Sequence, residues 1–172
     1  MGGGLIHGTN YKVPGGRESF IAKRRFVIHH EEDLPPAFFK KYEAETDLKN
    51  NIGKIESDGV SASTNDDSKG TLIYGPYDRS WPQANMVAVF SLMIDVADSR
   101  AEEVATIDVY DADLDQVLVS KSIKRSDFKA NFTYQDFELK FDMNGHFGNA
   151  METRLFWKDL SYLKVDKVVV RE

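Results

Sequence analysis

One short segment carries the side chains that most often bind transition metals. Residues 29–33 read His-His-Glu-Glu-Asp. Imidazole and carboxylate groups bind zinc and nickel, but adjacent side chains of an extended chain point to opposite sides, so His29 and His30 seldom reach one ion together. The remaining histidines, His7 and His146, are distant in sequence. A zinc or nickel site is therefore not expected in this segment.

A second group of acidic side chains occupies a predicted turn. It comprises Asp108, Asp111, Asp113 and Asp115. The calcium loop of helical calcium-binding proteins needs a central glycine and a terminal glutamate, and both are missing here. We expect these carboxylates to be solvated.

Signatures of catalysis are also missing. A glycosidase needs two carboxylates about 5 to 10 Å apart, but a chain with 28 acidic residues offers too many pairs to identify one. No serine nucleophile elbow, phosphate-binding glycine loop or dinucleotide-binding fingerprint is found. The sequence predicts a protein that is not an enzyme, with a small polysaccharide-active enzyme as an alternative.

Composition narrows the class of partner. The formal net charge is −6, which disfavours nucleic acid as a partner because such binding depends on neutralising phosphates. The basic clusters at 23–25 and 40–41 lie among carboxylates. There are no cysteines, so disulfides and thiolate chemistry are excluded.

No membrane insertion is predicted, because no run of 18 apolar residues occurs. Residues 1–7 lack the basic start and apolar run of a signal peptide. Three alternatives for the compartment stay open: the protein remains in the cytoplasm, leaves by another route, or is shown without its leader.

The elements that position these side chains are predicted to be strands. Apolar residues recur with a period of two, most clearly in Asn85–Asp95, where both faces are largely apolar, so we expect a central strand covered on both sides. Further strands are predicted at 70–74, 104–110, 116–123, 134–143, 151–158 and 163–171. Short strands at regular spacing predict an all-β antiparallel sandwich or barrel.

The first 37 residues differ from the remainder. Glycine and proline interrupt them at 2–4, 14–16 and 35–36, with one strand-like run at Phe20–Ile28 between. We interpret residues 1–37 as an extended N-terminal arm that precedes a domain of residues 38–172. A detached strand can add to a neighbour's sheet edge. An alternative function is therefore that of a structural or assembly subunit, such as a coat, spike or scaffold protein, which forms a homo-oligomer through this arm.

The order of motifs in residues 38–172 resembles a known family. Tyr42-Glu43-Ala44-Glu45 opens the domain, and residues 70–77 contain a Tyr-Gly-Pro-Tyr turn. The chain closes with Arg154-Leu155-Phe156-Trp157 and residues 163–168, Leu-Lys-Val-Asp-Lys-Val. This is similar to galactose-binding-like jelly rolls, especially the carbohydrate-binding modules of families 6 and 35. The resemblance implies a jelly-roll β-sandwich that binds a glycan or polysaccharide without catalysis.

The resemblance also implies a structural calcium ion. Family members often hold calcium where the first and last strands meet, and Glu43, Glu45 and Asp166 fall on the matching positions. Calcium prefers six to eight oxygen ligands, so carboxylates on neighbouring strands suit it. The alternative is that these three are ordinary solvent-facing strand residues.

Family members bind sugars by stacking them on exposed aromatic rings while a few polar groups fix the hydroxyls. Trp81 is the leading candidate, because residues 78–83 form a polar loop in which Pro82 holds the backbone extended. Trp157 lies on an apolar alternating face, so a position in the core is favoured over ligand binding for this residue. The asparagine that often precedes the last strand in the family is missing here. The predicted ligand-binding residues are Trp81, Tyr77, Tyr74, Arg79, Trp157 and Tyr162.

Overall fold

The computed structural model describes residues 38–172. Within them the only helical element is a single 3-10 turn at Arg125–Asp127, so the prediction of an all-β domain is confirmed. No helix among these residues has the length and hydrophobicity needed to cross a membrane. The predicted arm of residues 1–37 and the strand predicted within it at Phe20–Ile28 lie outside the described residues, and an oligomer through the arm stays a prediction. The eleven strands are β1 (Phe39–Glu43), β2 (Lys54–Glu56), β3 (Gly59–Ala62), β4 (Gly70–Ile73), β5 (Pro76–Asp78), β6 (Asn85–Ile94), β7 (Glu103–Asp111), β8 (Gln116–Lys124), β9 (Gln135–Asp142), β10 (Met151–Trp157) and β11 (Leu163–Arg171).

The strands form two antiparallel sheets. The six-stranded sheet has the order β2-β3-β11-β6-β9, and β1 pairs with β11 as well. The five-stranded sheet has the order β4-β10-β7-β8, and β5 pairs with β10. The predicted antiparallel sandwich of jelly-roll type is therefore confirmed.

The core lies between the two sheets and follows from the alternation of side chains along each strand. In β6, Ala88, Phe90 and Leu92 are fully buried. Burying each large apolar side chain contributes about 1.5 to 3 kcal/mol. The central position of β6 is confirmed, since it pairs with β11 and β9. The predicted coverage of both faces is met in part, because on the outer face Ser91 is buried but Val87 and Val89 are partly exposed.

A β-bulge interrupts β11 where it changes partners. The pairing between β11 and β6 shifts register between Val165 and Val168. Gly59 in β3 lies against this point with a φ of +137°, and a Cβ there would be 2.1 Å from the Val165 carbonyl oxygen. Only glycine can combine that backbone conformation with so close an approach.

The loops at one end of the sandwich are held by a buried arginine. Arg125 donates hydrogen bonds to the carboxylate of Glu102 (2.7 Å) and to the carbonyl oxygens of Val96 (3.1 Å) and Leu160. Its guanidinium also lies 3.5 Å from an oxygen of Asp95. One cation therefore joins the loops that follow β6 and β10, which fixes the position of the side chains they carry.

Candidate functional site

The outer face of the five-stranded sheet collects side chains that can contact a ligand. Alternation along β10 buries Met151, Thr153, Leu155 and Trp157 between the sheets. The intervening residues point to the other side of the sheet. They are Glu152, Arg154 and Phe156.

Each of these residues has a cross-strand neighbour on the same face. Phe156 pairs with Thr106 of β7 and with Thr71 of β4. Arg154 pairs with Asp108, and Glu152 pairs with Tyr110. Residues directly opposite one another in antiparallel strands are close enough to interact. The face therefore consists of three rows, with an aromatic ring in the first and the last.

The middle row is held rigidly by charge. Arg154 donates two hydrogen bonds to the carboxylate of Asp108, at 2.8 and 2.9 Å. The guanidinium carbon lies 3.6 Å from the centroid of the Tyr110 ring. Bidentate pairing and stacking on an aromatic ring both restrict the orientation of a guanidinium group. Arg154 therefore presents its remaining N–H donors in a fixed direction.

A depression of about 250 Å³ lies across the first two rows and is lined by Thr71, Asp108, Arg154 and Phe156. It combines a hydroxyl group, a carboxylate and a guanidinium with a phenyl ring that is 41% exposed. The depression therefore offers one apolar ring beside three polar side chains that can donate and accept hydrogen bonds.

A second ring borders the same face. Tyr77 follows the cis peptide bond of Gly75–Pro76, has a φ of +67° and is 39% exposed. Its ring meets the edge of Tyr74 at a centroid distance of 6.4 Å, and the Lys49 ammonium lies 4.9 Å from its centroid. Lys49 and Tyr74 exchange backbone hydrogen bonds at 2.8 and 2.9 Å. Of the predicted ligand-binding residues, Tyr77 and Tyr74 thus lie beside the face.

Glu152 is the buried acid of this face. Burial raises the pKa of its carboxyl, and the Arg154 charge lowers it in part. Burial of the ring, and to a smaller extent the Glu152 carboxylate, raise the pKa of Tyr77, so the phenol stays protonated at neutral pH. Glu152 does not line the depression.

Trp81, the leading candidate from sequence, is not an exposed platform. Its ring is fully buried, and its Nε1–H donates a 2.9 Å hydrogen bond to the Tyr42 hydroxyl. The ring also packs 5.7 Å from the Phe141 centroid. The prediction is wrong because only the flanking residues of the loop are polar. The indole itself turns into the core, where Tyr42 satisfies its donor.

Two further predicted ligand-binding residues have structural partners. Trp157 is fully buried and donates from Nε1 to the Ser161 carbonyl oxygen at 3.1 Å, so its alternative place in the core is correct. Arg79 is exposed, but it forms a bidentate pair with Asp113 at 2.6 and 3.0 Å and donates to the Gly148 carbonyl oxygen. It therefore joins two loops away from the depression described above, and its role in binding a ligand stays a prediction.

Tyr162 belongs to a different surface, among the loops that Arg125 joins. Its ring lies 6.3 Å from that of Phe132, which is 64% exposed. The neighbouring exposed side chains, Val96 and Leu160, are aliphatic. We call these four residues the loop-end patch.

The predicted calcium ligands occupy one region but are largely paired with lysines. Glu43 forms an ion pair with Lys41, and Asp166 forms one with Lys167 at 2.7 Å. No group of three or more histidines or carboxylates is arranged to hold a metal ion anywhere in 38–172. Glu45 differs, because its Oε2 is buried and has no hydrogen-bond partner. Burying an unpaired carboxylate oxygen is costly, so a cation beside Glu45 would fit this atom.

The acidic turn is not merely solvated, which corrects the expectation from sequence. Asp111 is fully buried and accepts hydrogen bonds from His146 Nδ1 (2.7 Å) and Asn149 (2.6 Å). Asp113 binds Arg79, and Asp108 binds Arg154. The His-rich segment at 29–33 lies outside the described residues.

Sequence reasoning missed most of the residues that line the face. The signal was present in β10: once its apolar side chains are assigned to the core, a phenylalanine and an arginine remain on the opposite face. No pattern within β10 shows that Asp108 and Thr71 lie beside them, because these come from strands far apart in sequence.

Comparison with known proteins supports the fold. No protein-family model matches the chain, and no curated protein matches it. Among solved structures, the xylan-binding module CBM15 superposes with a TM-score of 0.50 at 14% identity, covering 80% of this chain and 93% of the module. The C-terminal CBM6 of LamC, a marine laminarinase from Zobellia galactanivorans, gives 0.45 at 10% identity over 78% of this chain and all of that one.

A third similar structure is the K3 cleaved adhesin domain of Lys-gingipain from Porphyromonas gingivalis. Its TM-score is 0.45 at 15% identity, with 78% of this chain and 91% of that domain covered. The match to CBM15 confirms the predicted resemblance to carbohydrate-binding modules at the level of the fold.

Proposed function

We propose that this chain is a non-catalytic carbohydrate-binding module whose ligand lies on the outer face of the five-stranded sheet. The observation that carries the proposal is the depression lined by Thr71, Asp108, Arg154 and Phe156. A fold shared with carbohydrate-binding modules is consistent with this role, but fold does not imply function. The side chains of the face therefore have to account for the ligand by their own chemistry.

That chemistry matches a sugar. A pyranose ring has an apolar C–H face that can pack on the half-exposed ring of Phe156. Its hydroxyls both donate and accept hydrogen bonds. Asp108 accepts, and Arg154 has five N–H donors of which Asp108 takes only two. The Thr71 hydroxyl does both.

The same depression is poorly suited to hydrolysis. Glycosidases use two carboxyl groups on either side of the scissile bond. Only one carboxylate, Asp108, lines the depression, and it is paired with Arg154. This supports binding without catalysis and argues against the alternative of a small polysaccharide-active enzyme.

Retention on immobilised polysaccharides tests the proposal. We expect Phe156→Ala to weaken binding about fivefold or more, the equivalent of about 1 kcal/mol for one lost aromatic contact. Its melting temperature should change little, because the ring is already partly exposed. Phe147→Ala is the matched control, since Phe147 is a 67% exposed phenylalanine that does not line the depression.

A third variant separates the two exposed aromatic surfaces. Phe132→Ala removes the most exposed ring of the loop-end patch and should leave retention unchanged. If Phe132→Ala abolishes retention while Phe156→Ala does not, the ligand binds at the loop-end patch with Tyr162 and our assignment of the face is wrong.

We also propose that a calcium ion binds at Glu45. Two observations support this site. The Glu45 Oε2 is buried and has no hydrogen-bond partner. The segment just before it lies against β11, where the Ala44 N–H donates to the Asp166 carbonyl oxygen at 2.9 Å. Calcium accepts carboxylate and backbone carbonyl oxygens together. Glu43 and Asp166 would have to exchange their lysine partners for the ion. Its contribution would be to stability.

A further inference from the structure

Building on the proposed function, we infer that the ligand is a linear, uncharged polysaccharide that lies along β10 and spans several sugar units. Two features of the face lead to this conclusion. They are the distance between its two exposed rings and the balance of its charges.

The two exposed rings mark opposite ends of the face. Phe156 lies in the first row. Tyr77 follows Pro76, which pairs with Glu152, and precedes Asp78, which pairs with Met151. The two rings are therefore four to five residues apart along β10, or about 13 to 17 Å at the rise of a strand. This exceeds the width of one pyranose ring, so no monosaccharide can contact both.

The polar groups lie between the rings. The bidentate pair of Arg154 and Asp108 forms the middle row. A chain stacked on Phe156 at one end and on Tyr77 at the other would place its intermediate units over this pair. The arrangement suits an extended chain whose hydroxyls face the sheet at every unit.

The charges of the face cancel. Arg154 and Lys49 are its cations, and Asp108 and Glu152 are its carboxyl groups. Because these charges cancel, the face has no net positive charge to attract carboxylate or sulfate groups, and an acidic polysaccharide gains nothing over a neutral one there. The formal net charge of −6 adds a long-range repulsion of polyanions.

Calorimetric titration with oligosaccharides of increasing length tests the inference on the full chain. The neutral probes are β-1,4-linked xylose and β-1,4- and β-1,3-linked glucose oligomers from one to six units, and polygalacturonate is the anionic probe. We expect the dissociation constant of at least one neutral series to fall with length and then level off. The second ring should add about fivefold. Polygalacturonate should bind more weakly than the best neutral chain.

Variants connect the length dependence to the rings. Tyr77→Asn keeps a residue that tolerates positive φ and should remove the gain from the longer chains while leaving the short ones nearly unchanged. Phe147→Ala should retain the full length dependence. Equal affinity for a monosaccharide and its oligomers, or preferred binding of polygalacturonate, would overturn the inference while leaving sugar binding intact. Failure to bind any of these sugars would instead refute the proposed function.

Discussion

Replacing Trp81 by alanine should destabilise the domain strongly and without a specific effect on ligand binding. The indole is fully buried and packs against Phe141. It also begins a chain of hydrogen bonds, from Trp81 Nε1–H to the Tyr42 hydroxyl and from there to the Asp78 carboxylate at 2.7 Å. Burial raises the pKa of Tyr42, so the phenol keeps the proton that it donates to Asp78.

The magnitude follows from the volume that is lost. Truncating a buried aromatic residue to alanine costs about 3 to 5 kcal/mol. Domains of this size are stable by only about 5 to 15 kcal/mol, so Trp81→Ala removes a large part of the total. The melting temperature should fall by roughly 10 °C. Trp81→Phe keeps most of the ring but removes the donor to Tyr42, and should cost about 1 to 2 kcal/mol.

Urea unfolding followed by circular dichroism measures these differences. Phe147→Ala, a change at an exposed ring, should remain within about 0.5 kcal/mol of the unmodified protein. A Trp81→Ala protein as stable as Phe147→Ala would contradict a place for the indole in the core. Full stability of Trp81→Ala together with loss of polysaccharide retention would show instead that Trp81 is the surface platform that its loop suggested.

Three other predictions concern stability. Gly59→Ala should lower the free energy of unfolding by more than about 1 kcal/mol, because residue 59 has a positive φ and the added Cβ would collide with the β11 backbone. Unchanged urea unfolding would contradict the bulge geometry. Burial would raise the pKa of Asp111, but hydrogen bonds from Asn149, His146 and the backbone outweigh it and hold that pKa below its usual range. Its contribution is therefore present above about pH 4 and lost as the pH falls further, so the melting-temperature gap between the unmodified protein and Asp111→Asn should narrow below pH 4. If calcium binds at Glu45, adding the ion at 100 times its dissociation constant should stabilise the protein by about 2.7 kcal/mol. Glu45→Gln should abolish that gain. A melting temperature that changes with neither calcium nor chelator would contradict the proposed site.

Secondary structure was predicted well wherever a strand is long. The predicted strand at 163–171 coincides with β11. Those at 104–110 and 134–143 differ from β7 and β9 by one residue at each end, and the one at 151–158 differs from β10 by one residue at its end. The strands without a specific prediction are the three- and four-residue β2, β3 and β5. A period of two needs several repeats to be recognised, and these strands are too short to show it.

The aromatic residues were harder to assign, and Trp81 and Phe156 show why. Trp81 has polar neighbours in sequence but lies in the core, where Tyr42, 39 residues earlier, accepts its hydrogen bond. Phe156 sits in an apolar stretch yet faces outward. The neighbours of a side chain in sequence describe its loop or strand, whereas its burial depends on contacts with residues distant in sequence.

The order of residues is enough to predict the all-β class, the alternation within each long strand and the likeness to carbohydrate-binding jelly rolls. Which rings reach solvent and which acids pair depends on the assembled sandwich. Thr71, Asp108 and Arg154 come from β4, β7 and β10, which become neighbours when the sheet assembles. Alternation places a side chain on one face or the other, but strand order and register decide what lies beside it, and both are set by the packing of the whole sandwich.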